Sequence, residues 1–343
     1  MPHAVVTGAA GFIGSHLSQR LLRAGYRVTM IDNLSSGRRE NIDTVLQRAP
    51  KGADCSFHLC DLAAQDTGVL AKVITGADYV FHFAALADIV PSIHDPLAYH
   101  RSNVEATVRL LEAVRACGGA PRIIYAASSS CYGITDVYPT PETAPIRPQY
   151  PYALTKRVAE EYVFHWSQVY GIPAVSLRFF NVYGPRARTG GTYGAVFGVF
   201  LAQKLARQPL TIVGDGTQTR DFVFVTDVAE ACLLAAESDI SGEVFNVGAG
   251  NPQSVNRLCE LIGGPTTHIP KRPSEPDCTW ADISKIHGTL GWKPAVSFEE
   301  GVAIMLAGAV AWKEAPVWTP DSIAEATKDW FTYLDKTPTE QNA

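Results

Sequence analysis

The sequence predicts an α/β fold built on a doubly wound, mainly parallel sheet, together with a smaller second domain. Short β-branched or aromatic runs alternate with segments of helical apolar spacing through the first 180 residues. This alternation is typical of a parallel sheet that is covered by helices on both faces. A glycine-rich turn follows the first predicted strand, and the alternation stops after about residue 180. A chain of 343 residues is long enough for one large domain and a smaller one.

The elements of the first half follow one another in the order that such a sheet requires. The predicted strands are 4–8, 26–32, 54–62, 77–85, 122–128 and 173–180, and the predicted helices are 12–25, 66–75, 96–117 and 152–170. After residue 180, loops rich in glycine, proline and polar residues interrupt the pattern at 184–198, 212–222 and 270–277. We therefore expect one domain over 1–180, to which the chain returns at about 223–247, and a second over most of 181–343.

The composition is that of an ordinary globular protein, and it argues against several functional classes. Hydrophobic residues make up 46% and charged residues 18% of the chain, with a formal charge of −5. No long basic run suggests a nucleic-acid partner, and no apolar run approaches the roughly 20 residues that span a bilayer. Because the first residues lead directly into a predicted strand, without a charged and then apolar leader, we expect a cytoplasmic protein.

The seven cysteines do not form a recognisable metal or redox motif. None belongs to a C-x-x-C pair, and the densest group is Cys55, His58 and Cys60 in "CSFHLC". On a strand Cys55 and Cys60 point to opposite faces, because successive side chains alternate. We therefore expect no metal site and reduced cysteines.

The stretch "TGAAGFIG" at 7–14 predicts a dinucleotide-binding turn. Gly8, Gly11 and Gly14 follow a strand and open a helix, which is the context that this glycine spacing requires. The glycines permit a tight turn and allow the backbone to approach a pyrophosphate at the positive end of the helix. The first domain is therefore expected to be a Rossmann domain.

The residue at the end of the second strand favours NAD over NADP. Asp32 stands there, and a carboxylate at this position accepts hydrogen bonds from the ribose hydroxyls and repels a 2′-phosphate. Asn33 follows instead of an arginine. Arg38 and Arg39 come a few residues later, so NADP remains an alternative at this stage.

A second short stretch, "YPYALTK" at 150–156, predicts an acid–base pair. Tyr152 and Lys156 are four residues apart at the start of a helix, so they lie on the same face. Free tyrosine has a pKa of about 10 and is a poor base at neutral pH. A nearby ammonium and a positively charged nicotinamide would both favour the phenolate. The pair therefore indicates catalysis beside a nicotinamide cofactor.

These motifs, with "FHFAA", "SSSCYG" and "RFFNVYGP", resemble those of the extended short-chain dehydrogenase/reductases. Within that family the chain is most similar to the nucleotide-sugar 4-epimerases of the UDP-galactose 4-epimerase type, over residues 3 to about 300. The resemblance implies a Rossmann domain that binds NAD and a smaller C-terminal α/β domain that binds a nucleoside-diphosphate sugar. It also implies a homodimer formed through helices 96–117 and 152–170.

The resemblance further implies which residues carry each role. Ser128 would bond the substrate O4, and Tyr152, assisted by Lys156, would remove the 4-OH proton as hydride passes to NAD. The implied NAD-binding residues are Gly8, Gly11, Phe12, Ile13, Gly14, Asp32, Asn33, Ser36, Gly37, Asp61, Leu62, Ala84, Ala85, Asn103, Tyr152 and Lys156. The implied substrate-binding residues are Ser128, Ser129, Tyr152, Asn181, Thr211, Arg220, Arg272 and Thr279.

The residues after Ser128 distinguish the reactions of this family. Its dehydratases and decarboxylases carry acids where this chain has Ser129 and Ser130, and serine is too weak an acid to protonate a leaving hydroxyl. Its epimerase–reductases carry a cysteine two residues before Tyr132, whereas Cys131 lies one residue before it and would face away on an extended strand. We therefore expect a 4-epimerase that works through a 4-keto sugar. The alternatives are a 4-dehydrogenase that releases the keto sugar, a dehydratase and an epimerase–reductase.

The sequence leaves the sugar and the base open. Thr279 stands where the epimerases that are confined to plain hexoses have a bulky tyrosine, so an N-acetyl group or another substituent would fit. Arg186 and Arg188 could instead bind a uronate carboxylate. Neither UDP nor GDP is excluded.

Overall fold

The computed structural model describes residues 1–190 and 195–335. Its strands are β1 (His3–Thr7), β2 (Arg27–Asp32), β3 (Cys55–Leu59), β4 (Tyr79–His82), β5 (Arg122–Ser128), β6 (Ala174–Phe179), β7 (Asn181–Tyr183), β8 (Leu210–Val213), β9 (Thr219–Arg220), β10 (Phe222–Phe224), β11 (Glu243–Val247), β12 (Gln253–Ser254) and β13 (Thr266–Ile269). Its α-helices are α1 (Phe12–Arg23), α2 (Arg39–Gln47), α3 (Thr67–Ile74), α4 (Ile89–His94), α5 (Pro96–His100), α6 (Ala106–Ala116), α7 (Pro151–Tyr170), α8 (Val196–Leu205), α9 (Val225–Glu237), α10 (Val255–Ile262), α11 (Ser284–Leu290), α12 (Phe298–Ala307), α13 (Pro320–Ala326) and α14 (Lys328–Leu334).

Seven parallel strands form the central sheet in the order β11-β6-β5-β4-β1-β2-β3. The order reverses beside β1, since the chain passes outward to β2 and β3 before it returns to β4 on the other side. In open parallel sheets of this kind, ligands bind at the carboxyl ends of the strands where the order reverses. The predicted doubly wound α/β class is therefore confirmed, and the glycine turn after β1 lies at the switch point.

The region after residue 180 builds smaller ladders. β7 pairs with β10 and β8 with β13, both in parallel, while β9 pairs with β12 in antiparallel fashion. A separate apolar cluster packs around the stacked rings of Tyr183 and Phe197, whose centroids are 4.5 Å apart. The chain returns to the large sheet with β11, and α9 packs into the apolar core that also contains α1. The boundary at residue 180 remains a prediction.

The predicted helix over 96–117 contains an irregular turn in its middle. α5 and α6 are joined by a π-helical turn at Arg101–Glu105, and such turns frequently mark functional positions. Sequence periodicity indicated one helix because a π-turn adds a single residue without breaking the apolar pattern. α2 and α4 were not predicted.

A buried ion pair fastens α7 to the central sheet. Arg178 on β6 donates from Nε (3.1 Å) and Nη2 (2.7 Å) to the two carboxylate oxygens of Glu160, and these side chains are only 4% and 1% exposed. The Ser176 hydroxyl donates to the same carboxylate at 2.6 Å. Burial alone would raise the pKa of Glu160, but the hydrogen bonds and charge of Arg178 hold that pKa below its usual value.

We expect Glu160→Ala to lower the free energy of unfolding by about 3–5 kcal/mol, because it leaves the Arg178 guanidinium buried without its partner. Equilibrium urea unfolding measures the loss. Glu230→Ala is the control, since it removes the exposed Arg20–Glu230 pair and should cost about 1 kcal/mol or less. Equal losses in the two variants would show that the buried pair stabilises the protein no more than the exposed pair does.

Candidate active site

The glycine turn after β1 packs directly on the end of β4. Gly8 has φ +67°, and a side chain there would lie 2.7 Å from the backbone of Phe83 and Ala84. A methyl group at Gly14 would overlap the carbonyl of Gly8. Both positions therefore require glycine. Because the turn packs closely on the end of β4, the N-terminus of α1 stays open toward the crevice, and its backbone amides can bind a phosphate there.

Asp32 lies beside this turn and is buried. Its two carboxylate oxygens accept from the backbone N–H groups of Ala10 (2.9 Å) and Leu34 (2.7 Å). Burial raises the pKa of Asp32, and these two hydrogen bonds oppose the rise. A side chain at Gly37 would lie 2.8 Å from the Asp32 carboxylate, so glycine is needed there as well. The carboxylate is thus fixed at the point where a ribose would bind.

One cavity collects most of the residues that the sequence assigned to NAD. It is lined by Gly8, Gly11, Asp32, Asn33, Ser36, Asp61, Leu62, Ala84 and Ala85. It is also lined by Ser35, Cys60, Phe83, Ser102 and Ala106, which the motifs did not identify because they carry no dinucleotide signal. Phe12, Ile13 and Gly14 belong to the first turn of α1. The arrangement suits the adenosine and diphosphate of a dinucleotide.

The two arginines that kept NADP open are both engaged by the protein. Arg38 donates to the Thr189 hydroxyl (3.1 Å) and to the Asn41 amide oxygen (3.4 Å). Arg39 pairs with Asp43 at 3.2 Å and lies over the ring of Phe57. These partners hold the two guanidinium groups against α2, β3 and the loop after β7. Because both arginines are already engaged in this way, the structure favours NAD.

Ser128, Tyr152 and Lys156 meet at the carboxyl end of β5. Ser128 ends that strand, while Tyr152 and Lys156 occupy the first turns of α7. The Ser128 hydroxyl lies close enough to the Tyr152 phenol to affect its pKa. The Lys156 ammonium is 5% exposed and lies 4.4 Å from the centre of the Tyr125 ring. The three side chains that the sequence grouped are therefore adjacent.

The electrostatics of the pair differ from the sequence expectation. Burial raises the pKa of Tyr152, and the hydrogen bond from Ser128 opposes that rise. Burial also lowers the pKa of Lys156 to about 7, against the raising influence of Glu160. The expectation that Lys156 makes the phenol more acidic is thus not met by the protein alone, because burial dominates both groups.

Asn103 holds the catalytic helix in place from the π-helical turn. Its amide oxygen accepts from the N–H of Leu86 (2.8 Å), and its amide nitrogen donates to the carbonyl of Leu86 (2.9 Å) and the hydroxyl of Thr155 (3.0 Å). Thr155 immediately precedes Lys156. The role of Asn103 visible here is to join the segment after β4 to α7.

The residues after Ser128 do not continue the strand. Ser129–Tyr132 form a 3₁₀ turn, and the Ser128 hydroxyl accepts from the N–H of Ser130 at 3.2 Å. The extended geometry on which the orientation of Cys131 was predicted is therefore wrong. Cys131 is nevertheless buried, in an apolar cluster with Tyr132 and Phe180, and burial raises its pKa to about 12.

The predicted substrate residues fall into two connected groups. The Thr279 hydroxyl donates to the Asn181 amide oxygen at 2.8 Å and accepts from the N–H of Asp221. Arg220 and Arg272 lie on either side of Glu275, at 2.8 and 3.5 Å from its carboxylate. Glu275 was missed, although its position in "KRPSEPD", three residues after Arg272, could have indicated it.

Two sequence expectations for the substrate region are not supported. The Thr211 hydroxyl accepts from Gln203 Nε2 at 2.8 Å, and its N–H donates to Gln203 Oε1 at 3.1 Å, so this buried side chain is engaged by α8. Arg186 donates to Ser15 and Gln19 of α1, and burial lowers its pKa to about 10. It therefore packs against the first domain and is not directed at a uronate.

Arg188, the other candidate for a uronate, forms an ion pair with Asp88 at 3.0 Å. Asp88 lies close enough to Tyr152 to affect its pKa. The later part of the same loop, 191–194, is outside the described residues.

Neither a metal centre nor a membrane segment appears in the described parts of the chain. Residues 1–190 and 195–335 contain no group of three His, Cys, Asp or Glu side chains that could hold a metal ion. Over the same ranges no helix is both long and apolar enough to cross a bilayer.

A parallel sheet with a glycine turn at its switch point, an aspartate after β2 and an adjacent Ser–Tyr–Lys group define a dinucleotide-dependent enzyme of the short-chain dehydrogenase/reductase class. The model of the NAD dependent epimerase/dehydratase family matches residues 4–248. The chain belongs to that family.

Relatives of known name agree with this assignment. The UDP-glucose 4-epimerase of Mycolicibacterium smegmatis is 38% identical over 307 residues, which are 87% of this chain and 96% of that protein. The structure of a UDP-N-acetylglucosamine 4-epimerase from Methanobrevibacter ruminantium M1, in complex with UDP-N-acetylmuramic acid, matches with a TM-score of 0.82 and 34% identity, over 90% of this chain and 98% of that one. The UDP-glucuronic acid 4-epimerase from Bacillus cereus, in complex with UDP-glucuronic acid and NAD, matches with a TM-score of 0.81 and 33% identity, over 90% and 99%.

Proposed function

We propose that this protein is an NAD-dependent epimerase that inverts C4 of a UDP-sugar through a 4-keto intermediate. The observation that carries the proposal is the convergence of Ser128 and Tyr152 at the carboxyl end of β5, where Ser128 lies close enough to affect the pKa of the phenol, with Lys156 one helical turn along α7. The relatives named above act on UDP-sugars, which favours uridine over guanosine. The family dependence on NAD agrees with Asp32 beside the glycine turn.

In this mechanism Tyr152 and Ser128 handle the proton on the sugar O4. The Tyr152 phenolate removes that proton as the C4 hydrogen leaves as hydride, and the C4–O4 bond becomes a carbonyl. Ser128 keeps its hydrogen bond to the same oxygen throughout. NAD, when bound, supplies the site that accepts this hydride and later returns it. Its positive nicotinamide would also favour the phenolate, opposing the effect of burial on Tyr152.

Inversion requires the keto sugar to present its other face. Arg220 and Arg272 hold the diphosphate through charge-assisted hydrogen bonds, while Asn181, oriented by Thr279, contacts the same end of the substrate. The sugar turns about the diphosphate, takes hydride on the opposite face of C4 and recovers its O4 proton from Tyr152. Substrate and product are thus isomers, and the cofactor ends as it began.

The 3₁₀ turn that follows Ser128 carries no carboxylic acid for a different second step. The side chains of the 3₁₀ turn are two serines, a buried thiol with a pKa of about 12 and the phenol of Tyr132. A dehydratase must protonate a leaving hydroxyl, and an epimerase–reductase must move protons on carbon. The turn therefore favours oxidation and reduction at C4 alone.

We also propose that two copies of the chain pair through the outer faces of α6 and α7. The rings of Tyr162, Trp166 and Tyr170 contact one another in turn along α7, with neighbouring centroids 5.6 Å apart and their planes inclined, and Arg115 of α6 lies over Tyr170. Leu154 and Val169 are 52% and 54% exposed on the same helix. An exposed apolar and aromatic face of this kind is typical of an interface, and self-pairing of one face produces a two-fold dimer.

A cytoplasmic location is part of the same proposal. All seven cysteines are free, as expected for a reducing compartment. Cell fractionation that recovers the protein outside the cytoplasm would argue against it.

The reaction itself is tested in heavy water. We expect incubation with UDP-glucose, UDP-N-acetylglucosamine or UDP-glucuronic acid to yield, for at least one of them, an isomer inverted only at C4, with no deuterium bound to carbon. NMR and mass spectrometry of the product measure both properties. A product lighter by one water, deuterium at C3, C5 or C6, or release of a keto sugar as the main product would each overturn the epimerase assignment.

Tyr152→Phe should lower turnover by about 100-fold to 10,000-fold, because it removes the general base. UDP-sugar affinity should stay within several-fold of wild type, since the phenol acts chiefly in the transition state. Steady-state kinetics and calorimetric binding measure the two effects. Tyr170→Phe makes the same change on the exposed end of α7 and should leave turnover unchanged. Comparable activity in the two variants would show that Tyr152 is not the general base.

Val169→Glu should convert the dimer into a monomer, because it would bury a carboxylate without a partner in each half of an apolar interface. Size-exclusion chromatography with light scattering measures the mass. Val310→Glu adds the same charge at a position that is 73% exposed elsewhere, and it should leave the mass at that of wild type. A wild-type chain that is monomeric at micromolar concentration contradicts the dimer.

A further inference from the structure

The C-terminal helices fold back against the candidate active site. α13 and α14 lie beyond residue 248, where the match to the family model ends. His94 of α4 pairs with Asp329 of α14 at 2.8 Å, and the Ser274 hydroxyl donates to the carbonyl of Leu334 at 2.8 Å. These contacts join α14 to two segments on either side of the substrate region.

Trp330 is the residue through which α14 reaches that region. It is 5% exposed, and its indole N–H donates to the carbonyl of Pro273 at 2.7 Å. This bond fixes the ring beside the loop that carries Arg272. The guanidinium carbon of Arg272 lies 5.7 Å from the centre of the indole, within the range of a cation–π interaction.

The same indole contacts the aromatic side chains next to the catalytic tyrosine. The ring centroids of Trp330 and Tyr150 are 6.3 Å apart, and those of Tyr150 and Tyr152 are 6.4 Å apart with nearly parallel planes. Burial raises the pKa of Tyr150, and a hydrogen bond to Ser130 opposes that rise. Trp330 thus contacts both the diphosphate arginine and the ring that lies beside Tyr152.

We propose that Trp330 is a positioning residue for the substrate, which orients the Arg272 guanidinium and supports Tyr150 so that α14 completes the UDP-sugar site. The inference rests on the proposed function, in which Arg272 binds the diphosphate. An unsupported arginine loses much rotamer freedom when it binds a ligand, and a ring that already orients it reduces that loss. Arg272 contacts the diphosphate, which the protein holds equally in the ground state and in the transition state. The orientation of Arg272 by Trp330 should therefore affect substrate binding more than turnover.

The first test is UDP binding and kinetics of Trp330→Ala. We expect the Kd for UDP and the KM for the UDP-sugar each to rise about tenfold, with kcat within about threefold of wild type and bound NAD unchanged. Tyr333→Ala is the matched control, because Tyr333 is an aromatic residue of the same helix that is 57% exposed. Wild-type binding in Trp330→Ala, or an equal loss in Tyr333→Ala, would overturn the inference.

A double-mutant cycle with Arg272→Ala separates positioning from general packing. If Trp330 acts through Arg272, the double variant should bind UDP about as weakly as Arg272→Ala alone. If the loss of UDP affinity in the double variant instead equals the product of the two single losses, Trp330 acts elsewhere and the inference is overturned. An Arg272→Ala variant that binds UDP like wild type would instead contradict the role of Arg272 in the proposed function. Weakening in Arg272→Ala without any in Trp330→Ala contradicts only the role of Trp330.

Two milder substitutions keep the test valid if Trp330→Ala does not fold. Trp330→Phe keeps an aromatic face for Arg272, whereas Trp330→Leu keeps apolar bulk without one. We expect UDP affinity within about threefold of wild type for Phe and a clear loss for Leu, at similar thermal stability. Equal affinities in the two variants would mean that the ring face has no role.

Discussion

The ion pair between Glu160 and Arg178 is the interaction on which the catalytic geometry depends. Burying both charges costs several kcal/mol per ion, and the two-point contact from Arg178, the Ser176 hydroxyl and the Arg157 guanidinium at 2.8 Å together offset that cost. The pair therefore fixes the distance and rotation of α7 relative to β6. Since Lys156 precedes Glu160 by one helical turn, the same constraint determines where the ammonium lies over the Tyr125 ring. A helix held only by apolar contacts could rotate slightly at little cost, and such a rotation would move Tyr152 relative to Ser128.

Sequence reasoning located most of this arrangement because its signals are local. The glycine turn, Asp32 and the Tyr152–Lys156 spacing each report a backbone requirement or a shared helix face that a few neighbouring residues determine. The six strands of the first half were found to within a few residues for the same reason, since alternating apolar runs reflect burial directly. The epimerase interpretation of the residues after Ser128 also depended on residue chemistry, although the strand geometry that was assumed for Cys131 was wrong. It did not depend on tertiary contacts.

The features that sequence reasoning missed are those that depend on contacts between distant segments. Thr211 looked available in sequence, but Gln203 on α8 binds its side chain. Arg186 was one of two candidates for a uronate carboxylate, but Ser15 and Gln19 of α1 accept hydrogen bonds from it. The raised pKa of Tyr152 could not be foreseen either, because it results from burial and the sequence only suggested neighbouring charges.

The substrate side of the crevice illustrates why these long-range contacts matter for function. Two arginines and one glutamate give the Arg220–Glu275–Arg272 group a net charge of +1, which suits an anionic diphosphate only if the guanidinium groups can turn toward it. Glu275 attracts both of them, so a second fixed group is needed to decide where Arg272 points. Trp330 is placed to do this, because its ring lies over Arg272 while its N–H is anchored to the same loop at Pro273. Glu160 and Arg178 thus orient the catalytic centre from the side of the sheet. The diphosphate site is oriented by α14, which comes from the C-terminal end of the chain.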